Sequence, residues 1–395
     1  MARIRTGALR VFLTTLLWGP SLNGQGIPAS KPVWRTDLRQ LGLRQEHFQF
    51  VAPPSRMRSE ITRDSIAFGR SGHIAVAFLT QVLSRDLPSI GASRQVHLIL
   101  LDAATGKVVA NRTWPAPGAT LNNVYVAATR EGSFVVLQGN ALRVYSSELR
   151  EINRLDVTAD PSETGSWSLL VPPGGDSVFL WHYLIGGLSL RMLSATTLRE
   201  IRSWNKAEET GGAWTSGKYF AKVGTDKNLY VRGFDTPWRA IADLSHCRGG
   251  WGTAATKFIN EDSLIVSGCD PVRLIRVDGH ILFTAHPPKG RLAADAWGSL
   301  DGRFVAVATT TMGGLKIALA LDMSSGTAPR RILIYDTKSG NPVGSLKYTW
   351  QHACAFSPDN SALALLSGGI VELFRLPQPN RRLCCCFLRP IDSSP

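Results

Sequence analysis

The sequence repeats one polar turn seven times, and this repeat constrains the fold more than any other feature. Each turn lies between two short apolar runs, as Ser357-Pro358-Asp359-Asn360 does before the run from Ala362 to Leu366. Proline presets φ at such a turn, and Asp and Asn bond their own backbone and tolerate the left-handed region. The other six turns are Arg70-Ser71-Gly72, Glu131-Gly132, Gly174-Gly175-Asp176, Thr225-Asp226-Lys227, Asn260-Glu261-Asp262 and Ser299-Leu300-Asp301-Gly302.

A second turn follows the third apolar run of most units. It is clearest at Asp102 to Gly106 and at Asp336 to Gly340, where Asp can accept bonds from the turn amides and Gly takes a positive φ. Successive first turns are roughly 35 to 60 residues apart, which suits four-stranded units. Helical periodicity is nearly absent. The sequence therefore predicts an all-β fold, a β-propeller of seven four-stranded blades, with an all-β sandwich as the alternative.

The turns also carry a resemblance to a known family. Ser-Pro-Asp-Asn at 357 to 360 and the Asp-x-x-Thr/Ser-Gly turns at 102 and 336 resemble the repeats of bacterial WD40-like and YVTN-type β-propellers. The resemblance covers residues 61 to 377 and implies a repeat scaffold. Propeller families scaffold binding as often as catalysis, so the resemblance assigns no activity.

The last unit stops after its third run, which leaves the edge of Val371 to Leu376 unpaired. We expect an N-terminal strand to close this edge. His47 to Val51 alternates polar and apolar residues before Pro53-Pro54 and is the predicted closing strand. The predicted organisation is a signal peptide and linker in residues 1–30, an N-terminal segment with the closing strand in 31–60, the propeller in 61–377 and a tail in 378–395.

The N-terminus has the pattern of an export signal. Arg3, Arg5 and Arg10 flank a short apolar run from Val11 to Trp18, and so short a run cannot span a bilayer. No later segment reaches 18 uninterrupted apolar residues. The sequence therefore predicts an exported protein, periplasmic or extracellular, that is monomeric and has no transmembrane segment in the mature chain.

The chain is basic, with a net charge of +14. Its Lys and Arg are scattered, which favours diffuse attraction to anionic polymers over a dedicated nucleic-acid groove. The predicted partners are a protein, a peptide or an anionic polysaccharide, and no nucleic acid. A solvated basic surface without a partner is the alternative.

The strand order of a propeller assigns the connections to its two ends. Connections from first to second and from third to fourth strand lie at one end, and all others lie at the opposite end. The tight turns belong to the first class and the long connections to the second, so we expect a binding face at the long-loop end. Neutral variation in loop length is the alternative. The predicted binding residues are Arg85, Trp214, Lys218, His246, Arg248, Trp251 and Lys316.

Two cysteines fall on the same predicted face of neighbouring blades. Export permits a disulfide, so we predict a bridge between Cys247 and Cys269, with two free cysteines or a metal site with His246 as alternatives. No other metal site is predicted. Nothing in the sequence explains Cys384-Cys385-Cys386.

Catalytic motifs are scarce. Gly212 to Lys218 matches most of a phosphate-binding loop, but Tyr219 replaces the required Ser or Thr and no helix follows. The turn at Asp102 resembles the docking turn of quinoprotein dehydrogenases, but Ala110 stands near the place of the required Trp, so no cofactor is predicted. The predicted function is an exported, non-catalytic propeller scaffold. A propeller hydrolase or lyase acting on a small lactone, ester or sugar is the alternative, and the sequence identifies no catalytic residues for it.

Overall fold

The computed structural model describes residues 29–41, 65–81, 94–115, 124–157, 166–184, 187–204, 214–245, 255–268, 270–311, 330–348 and 352–378. These residues form 28 strands in seven antiparallel sheets of four strands each, with one 3-10 turn at Leu38–Leu41. The prediction of an all-β propeller with seven four-stranded blades is confirmed. Within the described ranges, no helix is long and apolar enough to cross a membrane.

Blades one to four consist of β2 (Ile66–Phe68), β3 (His73–Gln81), β4 (Arg94–Asp102) and β5 (Val108–Pro115); β6 (Val124–Ala128), β7 (Phe134–Gln138), β8 (Ala141–Tyr145) and β9 (Glu151–Asp156); β10 (Ser166–Leu170), β11 (Ser177–Leu184), β12 (Gly187–Ser194) and β13 (Glu200–Trp204); and β14 (Trp214–Thr215), β15 (Tyr219–Val223), β16 (Asn228–Gly233) and β17 (Arg239–Asp243). Blades five to seven consist of β18 (Ala255–Phe258), β19 (Ser263–Ser267), β20 (Val272–Arg276) and β21 (Ile281–Ala285); β22 (Arg291–Gly298), β23 (Phe304–Thr311), β24 (Arg330–Asp336) and β25 (Pro342–Tyr348); and β26 (His352–Phe356), β27 (Ala362–Ser367), β28 (Ile370–Arg375) and β1 (Trp34–Asp37).

Hydrophobic clusters fill the space between neighbouring blades. The second strand of blade two, β7, is buried along its whole length because both of its faces contact a neighbour, whereas the outer strand β9 is mostly exposed. One cluster joins blade seven to blade one and contains Leu366, Ile74 and Ile99. The ring is therefore closed by the same apolar packing that joins consecutive blades.

An N-terminal strand closes blade seven, as predicted, but the prediction of which residues form this strand was wrong. β1 pairs antiparallel with β28, with Trp34 opposite Leu373 and Asp37 opposite Ile370. His47 to Val51 lie outside the described residues, and β1 already occupies the edge that they were predicted to cover.

Blade one also holds the closing strand in place. The indole of Trp34 donates a hydrogen bond to the carbonyl of Ala103 at 2.8 Å. The hydroxyl of Thr36 donates to the carbonyl of Gly106 at 2.6 Å. Each of these contacts joins residues about 70 positions apart in the sequence. The local alternation of polar and apolar residues therefore could not predict them.

The two ends of the propeller differ in their connections. We call the end that carries the first-to-second and third-to-fourth turns the turn face, and the opposite end the loop face. The structure describes the turns of the turn face. The connections 82–93, 116–123, 158–165, 205–213, 246–254 and 312–329 join strand ends at the loop face and lie outside the described residues.

In blade four, the strands are shifted by one position relative to the predicted assignment. Its inner strand β14 is only two residues long, and the turn Thr225-Asp226-Lys227 joins the second strand to the third. Gly224 donates to the carbonyl of Asn228 at 2.8 Å and Lys227 donates to that of Gly224 at 3.0 Å. First turns elsewhere have the same pair of bonds, so similar local chemistry serves two topological positions. Lys227 therefore belongs to the loop face.

The fourth strand of blades one to six contains a one-residue bulge. In blade one, Leu100 lies opposite Ala110 and Leu101 opposite Val108, so Val109 has no partner across the ladder. Such a bulge increases the twist of an outer strand and hinders its pairing with another chain. The bulged residues are all aliphatic: Val109, Ile152, Ile201, Ile241, Leu282 and Val343.

Candidate binding site at the channel mouth

A cavity of about 240 Å³ opens on the propeller axis at the turn face. All seven blades contribute to it through the last residues of their inner strands or through their first turns, as Phe68, Phe258 and Phe356 do. Inner strands run from the loop face to the turn face, so these residues surround the axis where it meets the turn face. We call this cavity the channel mouth.

The walls of the channel mouth are mainly apolar. Phe68 and Phe356 lie half-buried at the ends of the inner strands of blades one and seven. Blade three adds Val171, Pro172 and Pro173, and proline presents no backbone N–H to a ligand. Walls of this kind bind an apolar side chain by removing its surface from water.

The charged side chains described at the channel mouth are cationic. Arg70, Arg130 and Lys257 line it, and the described lining residues include no Asp or Glu. Arg130 forms an ion pair with Asp176 at 3.0 Å, but both side chains are more than half exposed, so water and salt screen that pair. Cations beside low-dielectric walls give a positive potential that attracts a negatively charged group.

Cys354 also lines the channel mouth. Burial raises the pKa of its thiol, and nearby Asp295 acts in the same direction, while Lys257 opposes them. The thiolate is the reactive form of cysteine, so a buried thiol with a raised pKa is inert at neutral pH. Cys354 therefore serves as an apolar lining residue. Among the residues that the structure describes, no three His, Cys, Asp or Glu side chains lie close enough to hold a metal ion.

Hydrogen bonds between neighbouring first turns hold the rim of the channel mouth. The amide of Arg130 donates to the carbonyl of Gly175 at 3.1 Å. The amide of Leu300 donates to the side-chain oxygen of Asn360 at 2.9 Å, and the side-chain amide of Asn260 donates to the carbonyl of Leu300 at 3.0 Å. The rim is thus set before a ligand arrives, which lowers the entropic cost of binding.

Lys218 lies at the turn face, so its predicted place in a loop-face site was wrong. It follows β14 in the first turn of blade four and forms an ion pair with Glu261 in the first turn of blade five. The carboxylate of Glu261 raises the pKa of Lys218. Lys218 therefore links two blades at the rim. The misplacement follows from the one-strand shift in blade four.

The other predicted binding residues are not brought together by the described structure. Trp214 begins β14, but its side chain lies outside the described residues. The predicted loop-face site and the disulfide therefore stay predictions. The remaining residues named for them, all outside the described ranges, are Arg85, His246, Arg248, Trp251, Lys316, Cys247 and Cys269.

No protein-family model and no curated protein matches the chain. Among solved structures, a chain in the crystal structure of the mitotic checkpoint complex is similar at 13% identity and a TM-score of 0.48, over 95% of this chain and 100% of that one. A chain in the crystal structure of BBS1N in complex with ARL6DN is similar at 12% identity and 0.47, over 89% and 98%. Hsv2 of Kluyveromyces lactis is similar at 10% identity and 0.44, over 76% and 93%. The assignment of seven blades rests on the strand pairing of the chain itself.

Proposed function

We propose that the chain is a non-catalytic propeller scaffold that binds an acidic, partly apolar segment of a partner protein at the channel mouth. The observation that carries the proposal is the combination of cationic side chains and apolar walls in one preformed cavity. Export to the periplasm or the outside, and the bacterial YVTN type, are part of the same proposal. The basic and apolar N-terminus and the turns at Asp102 and Asp336 support them.

The size of the channel mouth favours a protein segment over a free small molecule. Its volume of about 240 Å³ is below the range of about 300 to 1,000 Å³ that is usual for sites enclosing a drug-sized ligand. It holds one or two side chains, and the surrounding first turns offer further contact area. An aromatic or aliphatic residue packs against Phe68 and Phe356, and a neighbouring carboxylate approaches Arg70.

The loop face is the second candidate surface, for a protein or an anionic polysaccharide. Seven connections of eight or more residues join strand ends there, counting the one from the closing strand to blade one that contains residues 42–64, and long loops on a rigid scaffold frequently carry binding residues. Trp214 and Trp251 are its best candidate anchors, because aromatic side chains bind apolar or sugar surfaces.

A hydrolase or lyase acting on a lactone, ester or sugar is the alternative function. Such an enzyme needs a general acid and base, or a metal ion, around the axis. The described lining of the channel mouth offers cations and apolar groups, which favours binding. Turnover of chromogenic esters or lactones by the purified protein would contradict the non-catalytic role.

Reversing the charge of Arg70 should weaken the binding of an acidic peptide. The probe is a fluorescein-labelled peptide of alternating Glu and Phe, titrated by fluorescence anisotropy. Arg70→Glu should raise its Kd about tenfold or more, because it removes a cation beside the cavity and adds a repelling charge. Added salt should weaken binding to the wild-type protein.

Lys338→Glu is the matched control for Arg70→Glu. Lys338 is exposed in the third-to-fourth turn of blade six, on the turn face but outside the cavity lining, so its reversal should change the Kd less than about twofold. An equal rise in Kd for both variants would mean that the peptide is attracted by the basic surface in general and not by the channel mouth. A loss confined to the Trp214→Ala, Trp251→Ala double variant would move the site to the loop face. Either result overturns binding at the channel mouth.

A further inference from the structure

Two cations lie on one side of blade four, in its interface with blade three. Across the ladder of β15 and β16, Lys222 lies opposite Tyr230, and Phe220 lies opposite Arg232. Opposite residues of an antiparallel pair point to the same side, as do residues two apart in one strand. Phe220 belongs to the hydrophobic cluster between blades three and four. Lys222 and Arg232 therefore enter that interface.

Both cations contact the same indole. The ammonium of Lys222 lies 4.2 Å from the ring centre of Trp238, and the guanidinium carbon of Arg232 lies 5.3 Å from it. Arg232 is also 5.7 Å from the ring centre of Phe220. Aromatic faces attract cations, but they replace hydrogen-bond acceptors poorly. These cation–π contacts therefore leave the N–H groups of both cations available to an acceptor.

No carboxylate in the described part of the chain pairs with either cation. Asp235, in the turn before Trp238, is engaged by Arg202, with one guanidinium nitrogen at 2.5 Å and another at 3.2 Å. Among the described residues, the Nε of Arg232 and the Nε1 of Trp238 are buried and have no hydrogen-bond partner. Buried donors in proteins are nearly always satisfied. The cluster thus contains buried N–H donors that lack an acceptor among the described residues.

The charges of the cluster, like its unpartnered donors, favour a bound anion. Burial lowers the pKa of Lys222, and the positive charge of Arg232 lowers it further. An anion between the two cations would compensate both charges and accept hydrogen bonds from them.

We propose that Lys222, Arg232 and Trp238 form a binding site for a tetrahedral oxyanion, sulfate or phosphate, either free or as an ester group on a larger molecule. A tetrahedral anion presents several acceptor oxygens, which suits an ammonium, a guanidinium and an indole as donors. The site lies between blades three and four, so it is independent of the channel mouth.

Blade two offers a matched control for this site. Arg143 stacks on Trp114 at 4.9 Å from the ring centre, as Arg232 does on Trp238. The carboxylate of Glu151 lies 4.0 Å from its guanidinium, and among the described residues a single cation contacts that indole. The Nε of Arg143 and the Nε1 of Trp114 are also buried without a hydrogen-bond partner among the described residues, so the blade-two pair matches the blade-four cluster in stacking and in donors but lacks its second cation.

The test is isothermal titration of the full chain with sodium sulfate, sodium phosphate and phenyl phosphate, at an ionic strength held constant with sodium chloride. Wild-type protein should bind at one saturable site. Arg232→Gln and Lys222→Gln should each raise the Kd about tenfold or more, whereas Arg143→Gln should leave it unchanged. Tighter binding of phenyl phosphate than of phosphate would assign the site to an ester group on a larger molecule, and equal binding would assign it to the free ion.

Three results would overturn the oxyanion site. They are the absence of saturable binding, an equal Kd in all the variants, and binding that appears only in a Glu208→Gln, Glu209→Gln variant. Glu208 and Glu209 fall in the connection between blades three and four, outside the described residues. Binding only after their neutralisation would mean that the chain supplies its own counter-charge. Should Arg232→Gln fail to fold, Arg232→Lys keeps the charge, loses the guanidinium fork and should still weaken binding measurably.

Discussion

Alanine at Gly106 should lower the free energy of unfolding by about 2 kcal/mol more than alanine at Gly340. Both glycines close the same kind of third-to-fourth turn, with φ of +72° and +74°, so both variants bear the same cost of about 1 kcal/mol for an L-residue in the left-handed region. Their surroundings differ. An added Cβ at Gly106 would lie 2.5 Å from Cε3 of Trp34, whereas nothing lies within 4 Å of one at Gly340.

The cause of that difference can be tested in a Trp34→Ala background. There most of the excess cost of Gly106→Ala over Gly340→Ala should disappear, because the clashing ring is gone and only the hydroxyl of Thr36, 2.8 Å from the added Cβ, remains. Denaturant unfolding of the six proteins in this cycle measures the effect. If the two alanine variants are equally stable in the wild-type background, Trp34 moves aside freely and does not anchor β1. If the excess persists without Trp34, the cost comes from another contact.

The closing strand marks the limit of local patterns in this chain. Four residues, Trp34 to Asp37, form it by pairing with β28, and Trp34 and Thr36 also bond to blade one. Their partners are in the turn from Ala103 to Gly106, about 70 residues away. The alternation of polar and apolar residues favoured His47 to Val51 as the closing strand, because alternation reports only on residues that are close in the sequence. It does not report which residues contact each other across the ring. That the last unit needed an outer strand was predictable, since its own third strand left an open edge.

Blade four shows why turn chemistry predicts a turn more reliably than its position. Asp226 accepts a hydrogen bond from the amide of Asn228 at 3.0 Å, as Asp301 does from Arg303 in a true first turn at 3.0 Å. The same residue types therefore satisfy the same backbone groups at both places. The two turns differ only in topological position, because the two-residue strand β14 precedes the second strand of blade four. A strand of two residues is too short to show an alternating pattern.

The channel mouth was missed because it has no local motif. Each blade contributes only a few residues, and Arg70, Arg130 and Lys257 come together only when the ring closes. One local feature could have indicated it: Val171-Pro172-Pro173, an apolar stretch where a first turn would ordinarily be polar. The aliphatic bulges of the fourth strands were missed for a similar reason, since a bulge is defined by the partner strand.

Alanine at Gly175 should lower the free energy of unfolding by about 3 kcal/mol or more, and it should also weaken binding at the channel mouth. Gly175 has φ of +70°, and its added Cβ would lie 2.4 Å from the amide nitrogen of Arg130 and 3.0 Å from the carbonyl carbon of Thr129. Backbone atoms cannot rotate away as a side chain can. The first turns of blades two and three must therefore separate, which breaks the 3.1 Å hydrogen bond from Arg130 to Gly175 and shifts a cation of the rim.

Gly132→Ala separates this clash from the cost of the backbone conformation. Gly132 occupies the first turn of blade two with φ of +84°, and its added Cβ would come no closer than 3.8 Å, to Ser71, so its cost should stay near 1 kcal/mol. Denaturant unfolding compares the two variants, and anisotropy with the acidic peptide is measured where both are folded. Equal stabilities would mean that the two turns separate at no cost. A folded Gly175→Ala protein with a wild-type Kd would mean that a preset rim is not what the acidic segment requires, because its binding would survive the displacement of Arg130.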